Sequence, residues 1–200
     1  MDTEYCTKTG WLCLDFANTV DWHASKNPVE TLNEYADLIE WSVNRGIISD
    51  DAKDVLLRKS EEKPVEAQAV LEKAREIREN IYQIFSDTAH GHPIKITDLK
   101  GFNKALAIML SHSMLAPYEE GLKWDWDSNS DELDSVIWPV VKSAVDLMTS
   151  EAIKRVGQCA DEKGCGWLFW DRSRNRSRCW CDMSDCGNRA KARRFYAKSQ

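Results

Sequence analysis

The sequence predicts a mainly α-helical chain with a small β content: an α-helical N-terminal domain carrying one short β-hairpin, then a small treble-clef-like finger made of a hairpin and a helix. Three observations carry this reading. Apolar residues recur three and four positions apart from Leu32 to Met148. Between Met114 and Asp127 the period shortens towards two. Near the end, four of the seven cysteines, Cys159, Cys165, Cys181 and Cys186, fall as C-x5-C-x15-C-x4-C, two close pairs separated by a segment of hairpin length.

Taken in order, Gly10-Trp11-Leu12-Cys13-Leu14 is a short apolar run that suits a strand or a buried helical turn. Asp15, Asn18 and Thr19 follow it. Such a cluster could line a ligand pocket, although Asp, Asn and Thr more often bond backbone groups. After a polar connection around Ser25 to Pro28, Leu32, Tyr35, Ala36, Ile39 and Val43 mark a helix that Gly46 stops. Ser49 opens a short helix ended by Ser60 to Pro64. Ala67, Val70, Ala74, Ile77, Ile81, Ile84 and Phe85 then hold helical spacing over five turns, closed by His90-Gly91-His92-Pro93. Those two histidines have no third ligand nearby, and Cys6 and Cys13 lack metal-ligand spacing and read as buried thiols. Thr97-Asp98 is expected to cap a helix through Leu110. A β-hairpin fits Met114 to Asp127, with Glu119-Glu120-Gly121 as its turn. From Asp131 helical spacing resumes and is expected to run to about Val156, with Pro139 starting or kinking the helix.

The chain thus divides into residues 1–157 and a finger over residues 158–200. Within the finger a hairpin is expected between 167–170 and 177–181, Ser173-Arg174-Asn175 suiting its turn. Ser184 is expected to cap a helix from Cys186 to Lys198, whose dipole would favour the last thiolate. Paired thiols around a small module predict one structural Zn²⁺, because a module of this size buries too little apolar surface to fold alone. Four thiolates leave no open coordination position.

At 200 residues, 42% hydrophobic and 30% charged, the chain can bury a sizeable core. Its longest apolar runs are too short to cross a membrane, and Met1-Asp2-Thr3-Glu4-Tyr5 does not read as a signal peptide, so a cytoplasmic location with reduced thiols is expected. The net charge of −6 is uneven. Residues 159–200 hold ten Lys and Arg against five Asp and Glu, which is +5 and leaves −11 on the remainder. One zinc and four thiolates would lower the finger to about +3, still basic. A polyanion should meet the C-terminus first. Arg172, Arg174, Arg176 and Arg178 alternate along the expected hairpin tip, where they suit phosphates. Asn188, Arg189 and Arg193 are expected nearer the bases, with Lys191 and Arg194 completing the basic helix.

Cys159, Gly166-Trp167-Leu168-Phe169, Asp171-Arg172-Ser173-Arg174-Asn175, Trp180-Cys181 and Cys186-Gly187-Asn188-Arg189-Ala190-Lys191 together resemble the CGNR zinc finger family of bacterial proteins. In that family an ABATE domain precedes the finger, and Leu14-Asp15-Phe16-Ala17-Asn18-Thr19 resembles its opening motif. The resemblance implies a stress-induced transcription regulator that binds double-stranded DNA. Five residues between the first cysteines and the extra thiol Cys179 depart from the pattern, leaving open which of Cys179 and Cys181 is the ligand. A zinc-stapled protein-interaction or small-molecule-sensing module is the alternative. No nucleophile elbow, Gly-rich phosphate loop or HExxH pattern occurs, so no enzyme is expected.

Overall fold

A six-residue helix, α1 (Leu12–Ala17), sits at the centre of the molecule with every residue buried, as expected of a helix that is apolar nearly all round. The computed structural model describes residues 5–126, 132–161 and 163–198. α1 packs against α4 (Pro64–Ala89) and α6 (Trp138–Met148), and α2 (Tyr35–Asn44), α3 (Asp50–Glu62) and α5 (Ile96–Ser111) pack in turn on α4. Ser49 caps α3 by accepting the Ala52 N–H, as its position in the sequence suggests. Pro64 falls in the first turn of α4, where a missing N–H costs nothing. The buried stripe Leu71, Ala74, Ile77, Ile81, Ile84 and Phe85 then faces the core along this 26-residue helix.

The β content is three two-stranded antiparallel pairs. β1 (Val20–Asp21) pairs with β2 (Val29–Glu30), a contact too short to leave a periodic signal. The expected hairpin is β3 (Ser113–Tyr118) with β4 (Gly121–Trp126), in register from Ser113 opposite Trp126 to Tyr118 opposite Gly121. Asp127 and Asp131, at the edges of two expected elements, lie outside the described residues.

Four expectations are corrected. Cys6, expected as a buried thiol, is exposed, whereas Cys13 is buried. Thr97 and Asp98 lie inside the first turn of α5, which begins after Lys95 without a side-chain cap. The helix expected to reach Val156 stops at Met148. There the Thr149 and Ser150 hydroxyls donate back to the Val145 and Leu147 carbonyls, Ser150 caps a 3-10 turn over Glu151–Arg155, and the chain continues as a strand. That strand, β5 (Val156–Gln158), is the partner of β6 (Leu168–Trp170), so residues 167–170 do not pair with 177–181. Leu168 and Val156 join the main hydrophobic core, which fixes the hairpin against the helical body.

Candidate metal centre and nucleic-acid interface

The first cysteine pair lies in the loop of the β5–β6 hairpin. The Cys159 N–H donates to the Trp167 carbonyl at 2.8 Å and the Gly164 N–H to the Asp161 carbonyl at 2.8 Å, folding the loop into a knuckle. Gly164 and Gly166 take φ of +91° and +69°, and the knuckle lies against the helical body so closely that a Cβ on Gly164 would stand 2.6 Å from Ser25. His23 and Ala24 donate their N–H groups to the Cys165 and Gly164 carbonyls, both at 3.1 Å. Tyr82 of α4 donates its hydroxyl to the Gly166 carbonyl at 3.0 Å.

The second pair is placed by a helical start. The Asp182 carboxylate, rather than Ser184, accepts the Ser184 and Asp185 N–H groups and caps a single π-helical turn over Met183–Gly187, which runs into α7 (Asn188–Lys198). Cys186 sits in that turn. The four sulfurs of Cys159, Cys165, Cys181 and Cys186 lie within 4.8 Å of one another, with Cys165–Cys181 and Cys181–Cys186 at 3.6 Å. Zinc–sulfur bonds of about 2.3 Å in a tetrahedron set sulfurs about 3.8 Å apart, so this spacing fits one zinc. The acid–base chemistry fits as well. Hydrogen bonds from Cys165 and then Cys181 draw the Cys159 thiol down, whereas burial pushes Cys186 up. Cys165 and Cys181 are raised because their hydrogen bonds to Cys159 favour the neutral thiol. Four thiols so close need a dication to ionise together. Cys179 is exposed, donates to the Ser177 carbonyl and stands outside the cluster. His90 and His92 stack on each other and join no metal-sized group among the described residues.

Two buried aspartates organise what surrounds the sulfurs. Asp161 takes Arg189 at 3.0 Å and Arg193 at 2.6 Å, tying α7 to the knuckle. Burial opposes its charge, but Arg193, the Lys163 N–H and Arg189 outweigh that and hold the carboxyl below its usual range. Arg189 also meets Asp185, donates to the Cys186 sulfur at 2.8 Å and stacks 4.9 Å over Trp22 of the helical body. Asp171 accepts the Ser173 and Arg178 N–H groups at 2.7 and 3.0 Å and so shapes the arginine loop.

The residues expected to meet DNA therefore divide into two sets. Arg189 and Arg193 are held by Asp161, and Asn188 donates its amide to the Ser184 carbonyl at 2.9 Å. Arg178 donates to the Trp180 and Cys181 carbonyls and lies over Phe169, so it braces the loop from its surface. Arg178 and Asn188 are exposed as well but are engaged by these carbonyls, whereas exposed Arg172, Arg174, Arg176, Lys191 and Arg194 point their charge at the surface. Arg172 lies over Trp170 and Arg194 over Trp180, and two shallow clefts that both include Trp180 join the loop to α7.

Asp15, Asn18 and Thr19 take internal partners. Asp15 accepts the Lys8 and Thr9 N–H groups and pairs with Arg45 at 3.2 Å. Thr19 donates to the Phe16 carbonyl. The Asn18 amide accepts the Leu168 N–H at 2.8 Å and donates to the Leu168 carbonyl at 2.9 Å, which makes the opening motif a seat for the finger's hairpin. Asp161, Trp22 and Tyr82 escaped the sequence reading, and Asp171 was read only as part of a motif, without its loop-shaping role. The pair of glycines around Cys165 and an aspartate two before Ser173 were the available signals.

Comparison with protein families gives two matches. A model described as "Putative stress-induced transcription regulator", ABATE, covers residues 10–151, and the CGNR zinc finger model covers residues 155–199. No curated protein matches the chain. With the first model spanning more than half of its length, the chain belongs to the ABATE family and ends in a CGNR zinc finger.

Proposed function

We propose that this chain is a DNA-binding transcription regulator of the reducing cytoplasm, in which the finger meets duplex DNA and the helical domain senses a small effector. The observation that supports it is the exposed basic surface of Arg172, Arg174 and Arg176 on the loop with Lys191 and Arg194 on α7, raised on a scaffold braced by thiols and buried aspartates. In this reading the exposed set holds phosphates, while Asn188, Arg189 and Arg193 keep α7 in place beside them. Residues 1–157 and 158–200 serve as the sensing and DNA-binding units. The −11 balance of residues 1–158 turns the encounter so that the finger leads. Fluorescence anisotropy with the zinc-loaded full chain and random or selected duplexes tests the proposal. Four to six phosphates give a logarithmic salt slope of roughly −4 to −5. Absence of binding at low salt would leave the zinc-stapled interaction module in its place.

A further inference from the structure

The β3–β4 hairpin has two unlike faces. Residues directly opposite one another in an antiparallel pair share a face. One face holds the pairs Met114–Asp125 and Ala116–Lys123, with the Lys123 ammonium 5.3 Å from the Tyr118 ring centre, and suits water. The other holds Ser113–Trp126, Leu115–Trp124 and Pro117–Leu122, and none of these side chains is charged. Trp126, at its root, packs against the main core, so the apolar row begins in the body and runs outward. Past the root it is uncovered: Leu115 is 58%, Trp124 50% and Leu122 68% exposed, with Pro117 exposed beside them.

Alternation of this kind marks a face made to be buried, and a two-stranded ribbon is marginally stable in water without cover. Residues 1–4, 127–131, 162 and 199–200, outside the described set, include one apolar side chain, Met1, so they supply no cover. The chemistry of the face narrows what does. It has no cation for a nucleic acid, and Glu119 and Glu120 at the hairpin tip, on a chain of net charge −6, oppose an anionic lipid surface.

We infer that the face of Leu115, Pro117, Leu122 and Trp124 packs on the same face of a second copy of this chain, forming a reversible two-fold dimer. With the two hairpins antiparallel about the axis, each Trp124 lies on the smaller Pro117–Leu122 pair of the other copy, large against small. The acidic tips then point apart by about 20 Å, the length of a six-residue strand and more than twice the Debye length at physiological salt. Side chains exposed to this degree leave on the order of 400 Å² of apolar surface in water. Interfaces between like chains are about 65% apolar, so the patch and its polar rim cover about 600 Å² on each copy and about 1,200 Å² in the pair. That is the lower end of specific interfaces and sets the expected dissociation constant at about 10 µM.

Sedimentation velocity of the full zinc-loaded chain, without DNA, tests the dimer. Between about 1 and 200 µM the mass should rise from one copy towards two. Leu122→Glu, at the most exposed of the four positions, should weaken association by about 100-fold, because the change enters a two-fold interface twice. Leu115→Lys serves if the first variant melts early, and Lys123→Gln, on the opposite face, should dimerise like the wild type. A single copy at every concentration, an assembly larger than two, a dimer that survives both face variants, or equal loss in Lys123→Gln overturns the inference. A monomeric wild type that co-sediments with neutral phosphatidylcholine vesicles also overturns it and gives the face to lipid. Since no DNA enters the measurement, its failure leaves the regulator reading standing, and failure of DNA binding leaves the dimer standing.

Discussion

The helical body and the finger are held together by different physics. The body buries Leu, Ile, Val and Phe side chains from every helix around α1, and that attraction has no preferred direction. The finger's interior is Cys159, Cys165 and Cys186 with Trp167, Trp180 and Cys181 packed against them, and its order comes from thiols and two carboxylates that each face named partners. Non-directional burial tolerates a change of shape, whereas directional bonds fail singly and completely. The difference teaches where each region should break.

The largest effect falls on the sulfurs. Cys181→Ser should reduce the metal content from about one zinc per chain to none and unfold the finger while far-UV circular dichroism keeps the helical signal of the body, because structural zinc binding supplies on the order of 10 kcal/mol. Cys179→Ser should keep its zinc. The reverse pair of results by elemental analysis would mean that the geometry chose the wrong thiol.

Next comes the seam between the regions. A fragment of residues 1–157 should melt cooperatively yet several kcal/mol below the full chain, since it loses Leu168 from the core and the partner of Asn18. A soluble fragment without a cooperative transition would show that body and finger are one folding unit. Asn18→Ala should cost about 3 kcal/mol in a urea titration, because it strands both the N–H and the carbonyl of buried Leu168. A cost below about 0.5 kcal/mol would contradict the seat described here.

Asp161→Asn should cost about 1–2 kcal/mol, reduced by the solvent that reaches Arg189 and Arg193. The wild-type carboxyl is held low when folded, so its contribution is present above the ordinary carboxylate value near 4 and is lost as pH falls below that. Wild-type and Asp161→Asn melting temperatures should therefore differ at pH 7 and converge on acidification. Curves that stay parallel at fixed zinc content would remove Asp161 from the account. The smallest effect belongs to the exposed loop: Arg174→Ala should leave stability within about 0.5 kcal/mol while flattening the salt dependence of DNA affinity by about one unit.

How much of this was legible in the sequence follows the same division. α4 declares itself because Ala67 to Phe85 repeat at the helical period, and β3–β4 because Leu122, Trp124 and Trp126 alternate. The four clustered cysteines were readable from spacing, except that Cys179 stood as a rival to Cys181 until the fold placed it outside the cluster. The partner of β6 was not readable, because Val156-Gly157-Gln158 is too short to show a period and sits after a stretch whose apolar spacing is helical. Nor could Arg189 be separated from Arg194 on the helix. One meets a buried carboxylate supplied from twenty-eight residues upstream and the other faces solvent, a distinction made by tertiary contact alone.

The π-helical turn around Cys186 has a consequence for phase. Each residue of an α-helix advances the side chains by about 100°. With Cys186 held at the sulfurs and Arg189, three residues on, held by Asp161, the azimuth of α7 is locked at its second residue. One amino acid inserted between these two anchors would swing Lys191 and Arg194 about a quarter turn around the axis, away from the arginine loop, with no change in composition or charge. The spacing between Cys186 and Arg189 thus acts as a protractor for the basic surface, and length variation should be tolerated beyond Arg194 far better than before it.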